Sequence, residues 1–291
     1  MSRPFSMIDV FADSAFTGNP VAVITGADGL DTAEMQRITQ WLNLSETTFL
    51  LPPEHRQADY KVRIFTLERE LPFAGHPTLG TCHAWLTAGG QPRGDYIVQE
   101  CGAGLVQIKR DGKRLALAAP PPLRSGPLED GKIVEICEIL GISRSAIVDH
   151  QWLDNGPGWA GVLLESAAAV RTIKPQRSLG ARIEAGTMGP HGPASHIEIG
   201  IIGPGDNGAD WELRALFTDA SGTLIEDPVT GSLNASAAQW LLASGRAKAP
   251  YRAVQGTCLG RDGRIYVDQD TDDTIWIGGQ CITLFSGQTG F

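Results

Sequence analysis

The sequence predicts an α/β protein of the α+β kind, built from two duplicated domains. Strand-like runs are frequent along its 291 residues, and several alternate apolar and polar side chains as half-buried antiparallel strands do. Few helical segments lie between them, and 35 glycines with 18 prolines are typical of many turns. A long stretch of the first half is also echoed, element by element, in the second half.

The candidate strands are short and spread along the whole chain. In order they cover residues 5–11, 20–25, 47–51, 60–66, 95–99, 105–109, 114–118, 160–165, 195–202, 212–217, 264–268 and 274–278.

Four helices are predicted between these strands, each with a start or stop signal. Residues 32–42 follow the capping pattern Asp31-x-x-Glu34. A second helix follows Gly75 and stops at Gly89-Gly90, a third spans 131–140 before Gly141, and the last spans 232–244 before Gly245. The proline-rich residues 119–127 are typical of a linker between domains.

The internal repeat is the most informative pattern. The first copy reads YKVRIFT, ELPFAGHPTLGTCHAWLTAGG and YIVQ, and the second reads WELRALFT, IEDPVTGSLNASAAQWLLASG and YRAVQ. Both copies order a strand, an acidic loop, a long helix, a glycine stop and a strand, which favours duplication. We predict domains over residues 1–124 and 125–291, and a last strand that is able to pack on the first domain. The matched pairs are Arg63 with Arg214, Gly75 with Gly231, His76 with Ser232, Gly89 with Gly245, and Gln99 with Gln255.

Composition limits the partners of this protein. The formal net charge is −9 and no run of Lys or Arg appears, so the basic surface of a nucleic-acid binder is missing. The start of the chain lacks a long apolar segment, and no stretch of about 18 apolar residues occurs. We therefore expect no membrane association and a cytoplasmic location. Five scattered cysteines without a CxxC spacing indicate neither a disulfide framework nor a structural zinc site.

The two duplicated helix starts are candidate anion sites. A helix N-terminus offers backbone N–H groups and a partial positive charge, and Gly75 and Gly231 would let a carboxylate approach closely. His76 and Ser232 follow directly as possible donors. Pro77 supplies no backbone donor but suits a first helical position. The alternative is that the glycines only allow close packing and that Ser232 is an N-cap.

Carboxylates near these helix starts are candidate acids and bases. Asp227 precedes the second helix start, and Glu70 lies in the matching loop of the first copy. Glu46 stands between a helix end and an apolar strand, where partial burial would raise its pKa toward a useful acid/base range. Most glutamates in such positions are surface residues.

Five linked motifs resemble the phenazine-biosynthesis isomerase-like (PhzF) family over nearly the whole chain. That family is related in fold to diaminopimelate epimerase and proline racemase. The resemblance therefore implies two similar domains, each a strongly curved, mostly antiparallel sheet around a central helix. The motifs are IDVFADSAFTGNPVAV (8–23), LSETTFL (44–50), ELPFAGHPTLGT (70–81), EDPVTGSLNASAAQWL (226–241) and VQGTCLGRDGRIYV (254–267).

The resemblance also implies proton transfer without a cofactor or metal. Glu46, in the Ser-Glu-Thr motif, would carry the proton as general acid and base. None of the cysteines falls in the motifs that carry the paired thiols of the epimerase relatives, which argues against a two-thiol racemase. The other implied groups are His76, Asp227 and Ser232 as catalytic helpers, and Gly75, Gly231, Thr230 and Pro77 as substrate-binding residues.

We therefore predict an isomerase that moves a proton within a small carboxylate-bearing substrate, with secondary metabolism as the expected setting. The active site is expected in a cleft between the domains, and a homodimer is common in such families. The first alternative is an epimerase or racemase that works through carboxylates. The second is a small-molecule binder that kept the scaffold without the chemistry.

Two motif matches are rejected. Residues 203–208 (GPGDNG) match a dinucleotide-binding pattern but lead into a strand rather than a helix. Residues 268–273 (DQDTDD) lack the glycine and final glutamate of a calcium loop, so a polar hairpin turn is expected there.

Overall fold

A computed structural model describes residues 2–176, 188–189, 192–193, 197–219 and 222–291. Its contacts divide the chain into one unit formed by Met1–Ala118 with Trp276–Phe291 and a second unit, Ala119–Ile275. The sequence-based boundary lay later, at 124/125. The first unit ends at Ala118 because this strand pairs with the closing strand of the chain, Trp276 lying opposite Ala118. Within the described ranges, no helix is long and apolar enough to cross a membrane.

The first unit is a closed sheet with one helix inside it. Its elements are β1 (Pro4–Val10), β2 (Asn19–Thr25), α1 (Thr32–Leu42), β3 (Glu46–Leu51), β4 (Tyr60–Thr66), β5 (Glu70–Leu71), α2 (Gly75–Thr87), β6 (Ile97–Cys101), β7 (Gly104–Asp111) and β8 (Arg114–Ala118), and the unit is completed by β18 (Ile275–Gln288).

Strand pairing closes this sheet into a barrel. The strand order is β1-β2-β3-β4-β6-β7-β8-β18, and β18 pairs back onto β1. All of these pairs are antiparallel except β2 with β3 and β4 with β6. Helix α2 packs against most of the strands and is apolar on nearly all sides, which is the pattern of a fully enclosed helix.

The elements of the second unit include counterparts of β1 to β7, α1 and α2, along with further elements. They are α3 (Asp130–Leu140), β9 (Asp149–Leu153), β10 (Trp159–Leu163), α4 (Ala167–Thr172), β11 (Met188–Gly189), β12 (Gly192–Pro193), β13 (Glu198–Pro204), β14 (Trp211–Thr218), β15 (Leu224–Asp227), α5 (Gly231–Ala243), β16 (Tyr251–Gln255) and β17 (Gly263–Gln269). Short 3₁₀ turns occur at Arg144–Ala146 and Thr257–Leu259. Of the strand predicted over 195–202, residues 195–196 lie outside the described residues.

The two units share one strand topology, which confirms the predicted curved, mostly antiparallel sheet with a central helix in each copy. Among the pairs that the first unit shares with the second, two are parallel, β2–β3 and β4–β6, and four are antiparallel, β1–β2, β3–β4, β4–β5 and β6–β7. In the second unit the corresponding parallel pairs are β10–β13 and β14–β16, and the corresponding antiparallel pairs are β9–β10, β13–β14, β14–β15 and β16–β17.

The helix signals in the sequence also correspond to real helix ends. The side chains and backbones of Asp31 and Glu34 form a reciprocal capping box on α1. Gly89 and Gly245 follow α2 and α5 with φ of 93° and 70°, a conformation that glycine adopts readily. Residues 204–211 form the β13–β14 hairpin and residues 269–275 form the β17–β18 turn, which agrees with the rejection of the dinucleotide-binding and calcium-loop motifs.

Candidate active site

Helix α2 begins at Gly75 without a side-chain cap. Its N-cap is Ala74, which has no polar side chain, and no acidic residue lies in its first turn. The first helical hydrogen bond runs from the Thr78 amide to the Ala74 carbonyl at 3.2 Å. The amides of Gly75 and His76 therefore have no partner in the helical pattern, as an anion site at this helix start would require. Pro77 is the third helical residue, not the first, because the helix starts at Gly75.

Glu46 lies at the first position of β3, directly after the end of α1. Asn43 ends that helix in a left-handed conformation, with φ of 55°, and turns the chain toward the strand. On β3, Glu46 pairs with Thr66 of β4. The Glu46 side chain is 17% exposed, so it is largely withdrawn from solvent rather than facing it.

The carboxylate of Glu46 and the imidazole of His76 lie against each other. Oε2 of Glu46 is 3.4 Å from Nε2 of His76, and the His76 side chain is 7% exposed. Burial lowers the pKa of His76 to about 3, so the ring is neutral at physiological pH. The contact is therefore between a carboxyl group and a neutral imidazole, not an ion pair.

The backbone of Pro20 fixes the tautomer of His76. The ring makes a hydrogen bond with that backbone, and a proline backbone has only a carbonyl to offer. The ring must therefore be the donor. Nε2 has no hydrogen-bond partner within the described part of the chain, so the donor is Nδ1. This leaves the unprotonated Nε2 facing Glu46 as an acceptor.

Helix α5 begins in the same way as α2 in its own unit. It starts at Gly231, and its N-cap is Thr230, whose side chain makes no cap hydrogen bond to the helix. The alternative that Ser232 is the N-cap is therefore wrong, because Ser232 is the second helical residue. The Asn234 amide makes the first helical bond to the Thr230 carbonyl at 3.1 Å, so the amides of Gly231 and Ser232 precede the regular pattern.

Asp227 is held beside this helix start by Thr230. The Thr230 hydroxyl donates to Oδ2 of Asp227 at 2.5 Å. Asp227 is the last residue of β15 and pairs with Ala215 on β14. Within the matching acidic loops, Glu70 corresponds to Glu226 rather than to Asp227. In each copy the matched arginine forms an ion pair with this glutamate, Arg63 with Glu70 and Arg214 with Glu226.

Ser232 is anchored by two residues that the sequence did not single out. Its hydroxyl accepts from the indole Nε1 of Trp159 at 3.0 Å, and its carbonyl accepts from Nδ2 of Asn155 at 2.9 Å. Both partners lie more than 70 residues away along the chain. Only the fold brings them together, so no local sequence signal could have identified them.

A second unusual glutamate, Glu198, was also missed. It opens β13 opposite Phe217, as Glu46 opens β3 opposite Thr66. Burial, reinforced by the negative charge of Asp154, raises the pKa of Glu198 to about 8, so it is protonated at neutral pH. Only the strand pairing reveals this equivalence, because the spacing along the chain from Glu46 to Arg63 is one residue longer than that from Glu198 to Arg214.

The structure thus assembles two sets of the predicted residues, one in each unit. The first set is Glu46, Gly75, His76 and Pro77, and the second is Asp227, Thr230, Gly231 and Ser232. Each combines a helix N-terminus, suited to a carboxylate, with a carboxyl side chain suited to proton transfer. That the two sets serve a single cleft remains a prediction.

Comparisons with known proteins agree with the family resemblance that the motifs carry. The family model described as phenazine biosynthesis-like protein matches residues 8–287. A trans-2,3-dihydro-3-hydroxyanthranilate isomerase from Pseudomonas aeruginosa is 32% identical over 90% of this chain and 88% of its own. The Schizosaccharomyces pombe protein named antisense-enhancing sequence 1 is 34% identical over 98% of both chains. The solved structure of a predicted epimerase from Pseudomonas aeruginosa superposes with a TM-score of 0.75 at 26% identity over 99% of both chains.

Proposed function

We propose, on the premise that this chain belongs to the phenazine biosynthesis-like (PhzF) family, that it is an isomerase that moves a proton within a small carboxylate-bearing substrate. The isomerase class follows from relatives such as the hydroxyanthranilate isomerase. The proposal adds that the transfer needs no cofactor, that Glu46 carries the proton, and that the substrate belongs to secondary metabolism.

One observation carries the proposal: the largely buried carboxyl of Glu46 faces the unprotonated Nε2 of a neutral His76 at 3.4 Å. A group that removes a proton from carbon and returns it elsewhere must be stable in both protonation states. When Glu46 holds the proton, Nε2 of His76 can accept a hydrogen bond from it. When Glu46 is ionised, two acceptors face each other, which makes the carboxylate a stronger base without placing a full like charge beside it.

The proton shift balances without an external reagent. The Glu46 carboxylate takes a proton from a saturated carbon of the substrate. The electron pair of that C–H bond forms a new π bond to the adjacent carbon, and the original π pair shifts to the far carbon. Glu46 then delivers its acid proton, which exchanges with solvent while the intermediate is bound, to the far carbon of the shifted π system. General acid–base catalysis of this kind is worth about 10²- to 10⁴-fold in rate.

The helix starts would stabilise the negative charge that develops on the substrate. The amides of Gly75 and His76 in one unit, and of Gly231 and Ser232 in the other, are suited to carboxylate oxygens. Asp227 and Thr230 would orient polar groups of the substrate. Because the net charge of the protein is −9, an anionic substrate requires such local donors.

The test is an incubation in heavy water of trans-2,3-dihydro-3-hydroxyanthranilate, the compound named for the relative, together with a library of small carboxylates. Mass spectrometry and NMR would locate deuterium on carbon, and Glu46→Gln is the control variant. We expect a carbon-deuterated product that forms only with the wild-type protein. A product with a moved double bond has a changed ultraviolet spectrum, whereas an epimer differs only in chirality.

A broad library without any exchanged compound would contradict the proposal. If the Glu46→Gln variant then binds the same ligands with the affinity of the wild-type protein, the result favours a small-molecule binder that retains the scaffold.

A further inference from the structure

Gln255, the last residue of β16, lies at the centre of a buried hydrogen-bond chain that ends on Asp227. Its side chain is completely buried. The backbone amide of Thr230 donates to Oε1 of Gln255 at 3.1 Å, and Nδ2 of Asn234 donates to the same oxygen at 2.8 Å. Since a backbone N–H can only donate, the oxygen of the Gln255 amide must face Thr230, which fixes how the amide is turned.

The direction of every following hydrogen bond is then determined. Nε2 of Gln255 donates to the Asp227 carbonyl at 3.1 Å and to the Thr230 hydroxyl at 2.9 Å. Having accepted from Gln255, that hydroxyl directs its single proton to Oδ2 of Asp227, 2.5 Å away. A donated hydrogen bond favours the charged form of a carboxylate, so the chain presents Asp227 as an acceptor in one fixed orientation.

The first unit shows that the fold does not require this chain. Gln99 occupies the same place in the repeat, but its Nε2 donates to the Thr78 hydroxyl at 2.9 Å and its Oε1 accepts from the Tyr60 hydroxyl at 3.1 Å. The N-cap of α2 is Ala74, which has no hydroxyl group. Leu71 occupies the place of Asp227 in the first unit, because Leu71 pairs with the residue after Arg63 and Asp227 pairs with the residue after Arg214.

We infer that Gln255 is a positioning residue which, through the Thr230 hydroxyl, orients the Asp227 carboxylate for the reaction. The hydroxyl and the carboxylate occur together in the second unit and are both replaced in the first. Their pairing therefore serves Asp227 rather than the shared architecture. The inference rests on the proposed function, in which Asp227 orients the substrate.

Three variants test the relay. Thr230→Val removes the link to Asp227 and keeps the side-chain shape, while Thr230→Ser restores the hydroxyl. Gln255→Leu removes the donor that orients that hydroxyl. Gln99→Leu is the matched control, because it removes the equivalent buried amide from the first unit. Denaturant unfolding of each variant reports whether it is folded and by how much it is destabilised.

In the exchange assay we expect Thr230→Val and Gln255→Leu each to lower kcat about 10-fold or more with a smaller change in KM. Thr230→Ser should recover most of the activity. The double variant should be little worse than either single one, because both act on one chain. Equal losses of kcat in Gln99→Leu and Gln255→Leu, or additive losses in the double variant, would overturn the inference.

A second readout does not depend on activity. The ¹³C resonance of the Asp227 carboxyl should titrate at higher pH in Thr230→Val than in the wild type, because a donor to the charged form is lost. If no substrate is found but this midpoint moves, the relay stands and the proposed function fails. If activity is present and the midpoint is the same in both proteins, the relay fails by itself.

Discussion

Glu46 and Glu198 occupy the same position in the two copies of the repeat. Each opens its strand, and each pairs with the residue three places after the arginine of the neighbouring strand, Thr66 in one copy and Phe217 in the other. Their surroundings have diverged. Glu46 faces a neutral imidazole, whereas Glu198 lies near the carboxylate of Asp154. Duplication has thus produced two largely buried carboxyl groups with different chemical neighbours.

Glu198→Gln should stabilise the protein at alkaline pH. The pKa of Glu198 rises from its ordinary 4.5 to about 8 on folding, so the folded state holds more protons than the unfolded state between these values. Stability must then fall as pH increases through this range. The glutamine, which does not titrate, removes this loss.

Urea unfolding measured from about pH 5 to pH 8.5, which covers most of the interval between the two pKa values of Glu198, checks this expectation. The difference in unfolding free energy between variant and wild type should grow with pH in favour of the variant. A constant difference over the whole range would contradict it.

His76→Asn should reduce the sensitivity of the fold to acid. The pKa of His76 drops from 6.5 to about 3 on folding, so the unfolded state binds the extra proton as pH falls below 6.5. The neutral ring therefore contributes stability that is complete above this pH and is lost toward pH 3. Asparagine cannot titrate, but its amide can still donate to the Pro20 carbonyl.

The measurement is the slope of unfolding free energy against pH between about 4 and 6.5. We expect a shallower slope for His76→Asn than for the wild type, whatever the absolute stability of the variant. The same slope in both proteins would show that His76 is protonated in the fold. Exchange activity should also fall, because the acceptor facing Glu46 is gone.

The repeated arginine–glutamate pair should differ in its contribution to stability between the two units. The side chains of Arg214 and Glu226 are 4% and 6% exposed, and Arg214 also donates to the carbonyls of Val170 and Ile173. Glu226→Gln leaves a buried guanidinium without its counter-charge and should cost about 3–5 kcal/mol.

Glu70→Gln is the matched change at the pair of Arg63, where the glutamate side chain is 38% exposed. It should cost about 0–1 kcal/mol, as exposed ion pairs do. Denaturant unfolding of both variants at neutral pH compares them directly. Equal costs at the two sites would show that burial does not control the strength of the pair.

The sequence alone predicted the repeat, and through it much of the candidate site. Glycine stops, the Asp31 cap and the arginine matches are local signals, and each corresponds to a defined element. Glu46 was singled out only through the family motif, because a glutamate before an apolar strand is not distinctive. Glu198 was overlooked inside an alternating strand pattern, although its distance from Arg214 in the strand pairing mirrors that of Glu46 from Arg63.

What could not be predicted depends on contacts between distant segments. Trp159 binds Ser232 across 73 positions, and Pro20 fixes the His76 tautomer from a different element. Gln255 was matched to Gln99 by the repeat, but the two amides have different partners. A sequence pattern identifies equivalent positions, while the direction of each hydrogen bond depends on the folded structure.

The central claim, that Glu46 carries the proton, is tested most directly by the rate of deuterium incorporation from heavy water in Glu46→Gln compared with Glu198→Gln. Both variants remove a largely buried carboxyl from the same position of the repeat and keep its shape. We predict that Glu46→Gln loses about 10²-fold or more of the exchange rate while Glu198→Gln retains most of it. Exchange by Glu46→Gln at the wild-type rate would contradict it.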